Sequence, residues 1–458
     1  MKKLTVSLLL IFSIIFIFFI LVENPENFLR KYLSPYKVIS KQEEKILNKD
    51  NLISNLLENP KNVDITEFKD YIPYYQLELF FKNSLKDIRV IKTSSLKIGN
   101  KLLLEKYKLL NGFYAGKYLE YPGSGFLDFH EDNLIILSSR GILGYSNNTS
   151  EKFSFKQIKN NIDEFINKSQ YIKSNVFSLQ DLKVIKDVIY ISFSQEVKNN
   201  CWNTGIIFAK FNYHEIKFKK FFEPEECVHA FDNIDKEFEP QSAGGRIIEL
   251  DNSNILLSVG DYRSRYLSQD PKSVFGKIIK INKNNYKYKI FSMGHRNPQG
   301  LFLDKKTNKI LITEHGPMGG DEINLIEVNN LREEEVPNFG WPISSYGEHY
   351  GGKIKKNKKK YKKYPLYKSH TKYGFIEPIR SFTPSIAVSE ITKIAENTYV
   401  MSTLKDKSIY FFTMKNGQIF NFERIEVFER IRDISFKNGK LFLFLENTAS
   451  IGIIADLM

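Results

Sequence analysis

One unit recurs six times in this chain, and that recurrence constrains the fold more than any other feature. Each copy is a short apolar strand, a polar turn of two to four residues, and a longer β-branched strand. The copies are GFLDFHEDNLIILSSRG (125–141), DLKVIKDVIYISFSQ (181–195), GRIIELDNSNILLSVGD (245–261), GLFLDKKTNKILITEHG (300–316), EITKIAENTYVMSTLKD (390–406) and RDISFKNGKLFLFLENT (432–448). Alternating apolar residues around a short polar turn are the mark of a β-hairpin. An isolated hairpin cannot cover its own apolar faces, so six equivalent hairpins must cover one another. Their starts lie about 40 to 90 residues apart, the spacing of propeller blades with insertions. A two-sheet sandwich does not call for the same unit six times. Residues 96–458 are therefore read as an all-β, six-bladed β-propeller, with each hairpin the inner pair of a four-stranded blade.

The chain ahead of the propeller reads differently. After Lys2 and Lys3, residues Leu4 to Val22 carry no charge and are long enough to cross a bilayer as a helix. No small-residue cleavage site follows, so residues 1–24 are expected to be an uncleaved N-terminal transmembrane anchor. The two leading lysines then place the remainder outside the cytoplasm. Residues 25–95 carry Ile46, Ile53, Leu56 and Leu57 at near-helical spacing and read as a short helical segment beside the membrane. The only cysteines, Cys201 and Cys227, lie past the anchor, where the compartment permits a disulfide. A strand-like stretch and a return between them predict that they meet.

The net charge of +14 includes a lysine run, KIKKNKKKYKKY (353–364), read as a solvated surface insertion open to anionic lipid or polysaccharide. No nucleic-acid module accompanies it, and nucleic acid is excluded as a partner. In a propeller the ends of the longer strands reach one face around the axis. Here they carry Arg140, Gln195, Asp261, His315, Lys405 and Thr448, polar in every copy, which suits an anionic or polyhydroxylated ligand. One of these ends runs into EHGPMGGDEIN (314–324), a turn with almost no side chain at its centre, flanked by Glu314, Asp321 and Glu322.

That turn, GHRNPQGL (294–301) and PNFGWP (337–342) form a compact set of motifs. With the weaker echoes GGRI to VGD (244–261), TPSIA (383–387), STLK (402–405) and RIRD (430–433), the chain resembles the glucose/sorbosone dehydrogenases over residues 110–458. These are soluble sugar dehydrogenases that use pyrroloquinoline quinone (PQQ). The resemblance implies PQQ and Ca²⁺ as cofactors and a small sugar or related alcohol as substrate, with an electron acceptor of unknown identity. PQQ is a flat tricarboxylate carrying an ortho-quinone, so cations and amide donors suit it. The family pattern carries over to Arg296, Asn297 and Gln299 as contacts to the quinone and its carboxylates, and to Lys405, Arg430 and Arg432 as the remaining cations. Arg430 and Arg432 alternate along a strand and so share one face. The backbone carbonyls of Gly316 and Pro317 match the calcium ligands, since glycine lets backbone approach a cation closely. Glu322 matches a second calcium contact or a structural one.

One departure bears on the chemistry. The family's catalytic histidine stands four residues before the arginine that opens the third hairpin. In QSAGGRI that place is Ser242, and a serine hydroxyl cannot by itself take a proton from a sugar hydroxyl near neutral pH. Asp261 and Asp321 match acidic neighbours of that histidine and are the candidate bases, with Arg296 polarising the quinone carbonyl. The expected function is PQQ- and calcium-dependent oxidation of a sugar or related alcohol outside the cytoplasm. The alternative is a non-catalytic propeller that binds a carbohydrate or an envelope partner.

Overall fold

The computed structural model describes residues 82–83, 87–110, 113, 123–146, 153–166, 168–174, 176–332, 334–350, 358–455 and 457. Among them the strands form six sheets, antiparallel but for the short parallel pairing of Glu215–Ile216 with Phe155–Asn160, and each of the six sequence hairpins is the inner pair of one sheet. The inner strands are Gly125–His130, Leu179–Ile185, Gly244–Glu249, Pro298–Asp304, Val388–Ala395 and Ile431–Lys437, here called the inner strands of blades 1 to 6. Each packs against the next, and that of blade 6 packs against that of blade 1, so they close a ring. The core lies between neighbouring sheets. Leu256, Ile278, Leu301, Ile310 and Ile312 bury the contact of blades 3 and 4, and Leu311, Ile323, Ile391, Tyr399 and Met401 that of blades 4 and 5. Fully burying side chains of this size stabilises by ~1.5–3 kcal/mol each, which drives the stacking.

Ring closure uses both ends of the described chain. Blade 6 takes three C-terminal strands, Ile431–Lys437, Lys440–Leu445 and Ser450–Ile454, and completes itself with Leu102–Leu109 and Val90–Ile98. The segment predicted helical through residue 95 is therefore strand from Val90 onward. It is rich in lysine, serine and threonine because it is an outer strand, mostly exposed. The predicted anchor at 1–24 and the remainder of the helical segment lie outside the described residues. No helix among the described residues is long and apolar enough to cross a membrane.

The blades are also stitched by side chains that cap a neighbour's backbone. Asp128 of blade 1 accepts the Val184 amide of blade 2 at 2.7 Å, and Asp181 of blade 2 accepts the Ile247 amide of blade 3 at 2.8 Å. Asp433 of blade 6 accepts the Leu127 amide of blade 1 at 2.7 Å. Arg246, buried on the inner strand of blade 3, joins five blades by polar contacts. Its Nη1 donates to Asp181 at 2.8 Å and Asp433 at 2.9 Å, Nε lies 2.9 Å from Glu390 and 2.6 Å from the Gln299 carbonyl, and Nη2 reaches the Arg432 carbonyl at 3.0 Å. The Phe126 ring of blade 1 stands 5.7 Å from its guanidinium, so every blade touches this one side chain.

Cys201 opens the third strand of blade 2 and bonds to Cys227, as the sequence predicts. The short strand Val228–His229 pairs with Cys201–Trp202 and holds the two cysteines together.

The lysine run departs from its predicted character. Residues 351–357 lie outside the described residues, but Lys358–Lys363 form a helical turn docked on an acidic loop. Lys360 pairs with Glu237, Lys363 pairs with Asp235 at 2.7 Å, and the Tyr364 hydroxyl donates to Asp235 at 2.6 Å. Tyr364 is buried. Charge complementarity and this tyrosine turn a run that reads as solvated into a clamp. Deleting residues 358–363 is expected to lower stability by on the order of 1–2 kcal/mol in urea unfolding. An unchanged midpoint would restore the free-loop reading.

Candidate functional site

A cavity of about 340 Å³ opens on the propeller face where inner hairpins of several blades end. Its wall brings together Arg296, Asn297 and Gln299 from the start of blade 4, Lys405 from blade 5, and Arg430 and Arg432 from the start of blade 6. His315, Gly316 and Pro317 of the glycine-rich turn line it too, as do Ser242, Glu239 and Tyr350. All six residues proposed for the cofactor, and both glycine-turn carbonyl donors, thus meet in one place. They arrive there because each sits at the open end of an inner hairpin, and the ring carries those hairpin ends to one mouth.

The cations are graded in how far they are neutralised. Arg430 and Arg432 share Glu446, through Nε contacts of 3.0 Å and 2.7 Å. Burial works to raise the Glu446 pKa, but the two guanidinium groups overcome it and hold the carboxyl at about 2. Two cations over one anion leave a net positive charge facing the cavity. Arg296 donates to the His315 carbonyl at 3.0 Å and lies over the Trp341 and Tyr350 rings, 5.7 Å and 6.0 Å away. Burial opposes its charge, and Tyr350, Asp261, Glu239 and Asp321 around it more than compensate. Lys405 is exposed at the rim.

The glycine turn explains its own composition. A Cβ on Gly316 would stand 2.1 Å from the Gly320 carbonyl oxygen and 2.4 Å from that of Gly319, closer than any side chain permits. Gly320, at φ +69°, passes against the Gly347 amide in the same way. The turn is folded around Asp321, whose Oδ1 accepts the Gly316 amide at 3.0 Å. Its Oδ2 accepts the Ser385 hydroxyl at 2.6 Å and the Ile386 and Ala387 amides at 3.0 Å and 2.6 Å. Among the described residues no hydrogen bond reaches the Gly316 or Pro317 carbonyl, and both residues line the cavity.

The two candidate bases sit elsewhere. Asp321 is fully buried, with its oxygens committed to those four donors. Asp261 is fully buried too, accepting the Trp341 indole N–H and the Arg263 amide, each at 2.8 Å. Neither carboxylate forms part of the cavity wall. Their physical task here is to shape it: Asp321 cinches the glycine turn, and Asp261 seats Trp341 under Arg296. Glu322 is likewise off the wall, beside Asn324 at 3.3 Å and 3.6 Å from His370. Burial, with Glu314 nearby, pushes its carboxyl well above the usual range, towards the protonated form. Among the described residues no group of three or more His, Cys, Asp or Glu side chains could hold a metal ion. Of the strand-end residues, His315 and Lys405 reach the wall. Arg140 instead stacks 4.6 Å over Tyr171, and Thr448 donates to Glu429 at 2.8 Å.

Sequence reasoning passed over the supports. His295 Nδ1 lies 2.8 Å from Glu314, and its Nε2 lies 2.8 Å from the Ser292 hydroxyl. Burial lowers His295 to about 3 and raises Glu314 to about 8, so the pair is a neutral hydrogen-bonded strut directly behind Arg296. The long insertion after blade 4's third strand supplies Trp341 and Tyr350, and no local pattern betrays which of its aromatics turn inward. Glu239 carried a signal, since it stands three residues before Ser242, within one turn of the position where a base is expected.

Three similarities place this geometry among known proteins. An uncharacterized protein of Synechocystis sp. is 29% identical over 225 residues, 42% of this chain and 50% of that protein. The aldose sugar dehydrogenase YliI of Escherichia coli is 25% identical over 229 residues, 45% of this chain and 57% of that protein. The matches thus span about half the length of these relatives. The structure of the PQQ-bound form of aldose sugar dehydrogenase from Streptomyces coelicolor superposes with a TM-score of 0.52 at 17% identity, covering 81% of this chain and 99% of that one, a likeness of fold. The model of the glucose / sorbosone dehydrogenase family matches residues 180–454, from the inner strand of blade 2 to the last strand of blade 6. Arg296, Asn297, Gln299, Lys405, Arg430 and Arg432 all fall inside that match, and the chain belongs to the glucose / sorbosone dehydrogenase family.

Proposed function

We propose that this protein oxidises a sugar or related small alcohol with PQQ and Ca²⁺, outside the cytoplasm and held to the membrane by its N-terminal segment. The observation that carries the reading is the convergence of Arg296, Lys405, Arg430 and Arg432 on one cavity, with Asn297 and Gln299 between them. Four cations against the Glu446 and Glu239 carboxylates leave a positive surplus that suits a compact polyanion, and a flat tricarboxylate fits that donor set. The unbonded carbonyls of Gly316 and Pro317 fit a hard divalent cation, which takes oxygen ligands. When bound, PQQ supplies a two-electron acceptor for alcohol oxidation.

The chain's own residues do the rest. Arg296 is fixed by the His315 carbonyl and by the Trp341 face, so its guanidinium is pre-aimed at negative charge developing on a bound carbonyl oxygen. Arg430 and Arg432, braced by Glu446, orient carboxylates by geometry as well as charge. Tyr350, over both Arg296 and Arg263, covers the mouth and limits water. Export is supported by the Cys201–Cys227 disulfide and by the uncharged run from Leu4 to Val22.

Titration of the purified full chain with PQQ, with and without Ca²⁺, tests the reading through the absorbance of the bound quinone. Saturable, Ca²⁺-dependent binding is expected, weakened ~10- to 100-fold in Arg296→Ala, the worth of charge-assisted hydrogen bonds. No binding by the wild-type chain would overturn the proposal. A carbohydrate-binding propeller without turnover would then be the better reading, and Ser242 at the histidine position is the observation in its favour.

A further inference from the structure

Resting on the PQQ reading above, we propose that Glu239 is the proton acceptor for the substrate hydroxyl in this chain, in the role that Ser242 cannot fill. Glu239 lines the cavity together with Ser242 and Arg296. It belongs to the same turn as Ser242, whose amide donates to the Glu239 carbonyl at 3.0 Å. The Glu239 amide in turn donates to the Tyr262 carbonyl at 3.1 Å, which anchors the turn to the segment after blade 3's second strand. The backbone is thus fixed, and the carboxylate projects from it beside the cavity.

Two features of that carboxylate fit the role. Its Oε1 is buried and has no hydrogen-bond partner. A buried acceptor without a donor is costly, so such an atom in a binding cavity marks a place where a ligand's O–H completes the pairing. Its Oε2 lies 3.5 Å from Arg263 Nη1, a loose contact, and the Gln241 backbone amide also favours the ionised carboxylate. The charged groups facing it are Arg263 and Arg296, which favour the ionised form, and Asp261, which disfavours it along with burial. Glu237 and Tyr350 complete the surroundings through Arg263. The net effect lifts its carboxyl above the ordinary glutamate range, the direction that makes a carboxylate a better base.

The other groups on the wall serve less well. His315 donates from Nε2 to the Val388 carbonyl, and burial, with Arg296 and Arg432 nearby, brings it down to about 4. Lys405 is a cation. In the step, the substrate O–H bond breaks and its proton passes to Glu239. The adjacent C–H bond breaks with its electron pair, which leaves with the hydrogen for the quinone, and the carbon–oxygen single bond becomes C=O. Atoms and charge balance with PQQ as the two-electron oxidant.

Glu239→Gln keeps the shape and removes the base, and Glu239→Asp keeps the base on a shorter arm. In the Ca²⁺- and PQQ-loaded enzyme, Glu239→Gln is expected to lower kcat ~10²- to 10⁴-fold. PQQ affinity should stay within about threefold of wild type, because this carboxylate is not among the cofactor contacts, and Glu239→Asp should recover part of the loss. A second readout needs no turnover. Difference infrared titration of the apo-protein should show a carboxyl band titrating above the ordinary glutamate range that is missing in Glu239→Gln. If both proteins bind PQQ and turn over within about threefold of each other, or if the band survives in the variant, Glu239 is not the base and the PQQ reading stands. If the wild type binds no PQQ, both readings fall together.

Discussion

Arg246→Met is expected to cost at least ~3–5 kcal/mol, enough to remove most of the stability of an ordinary domain. The methionine fills the same space but leaves Asp181, Glu390 and Asp433 buried without the guanidinium that they share. Each of those carboxyls is at most partly exposed and already faces the others. Removing one partner of a buried ion cluster strands the rest, which is far costlier than replacing the whole cluster. The loss is also topological, because Arg246 touches all six blades. Urea unfolding checks the size of the effect, and pH checks its cause. Acid protonates the three carboxyls and removes their mutual repulsion, so the variant should regain much of its stability near pH 5. A variant as stable as wild type at pH 8 would show that apolar packing, rather than this cluster, closes the ring.

The companion expectation is a divergence of two pH profiles. Burial, with Asp433 and Asp181 adjacent, outweighs Arg246 and the Ile391 amide and lifts Glu390 from 4.5 to about 8, and burial with Asp433 nearby lifts Asp181 to about 6. A carboxyl with a raised folded pKa binds its proton more tightly in the native state. Its contribution to stability is fully present below the unfolded pKa, near 4.3, and is lost as pH rises through the folded value. For Glu390 that window runs from about pH 4 to about pH 8, with a size on the order of 3–5 kcal/mol at 1.4 kcal/mol per unit. Glu390→Gln mimics the protonated acid at every pH. The variant should match wild type at pH 5, where the acid is protonated in the fold, and exceed it at pH 9. Parallel profiles from pH 5 to pH 9 would mean that Glu390 is ionised throughout and paired with Arg246.

The sequence by itself determined what is local or repetitive. Alternation around a polar turn is a property of neighbouring residues, so all six inner hairpins were legible, and their number dictated a ring. The cation set was legible for the same reason: each member sits at the open end of an inner hairpin, and a closed ring leaves such positions only one mouth to share. The disulfide followed from a hairpin that returns the chain to its start. Only the tertiary structure decided matters that depend on partners distant along the chain. Leu102–Leu109 joins Ser450–Ile454 to finish blade 6, a pairing that neither segment announces. Lys360 and Lys363 read as solvated until Glu237 and Asp235 come opposite them. Among the acids the same holds with more consequence for function. Asp261 and Asp321 carry the family's pattern yet spend their oxygens on Trp341 and on the glycine turn, whereas Glu239, marked in sequence only by its nearness to Ser242, lines the cavity and keeps one buried oxygen unbonded. Which carboxylate is free to act is settled by hydrogen-bond donors from other blades and insertions, and a linear pattern holds no record of where those donors point.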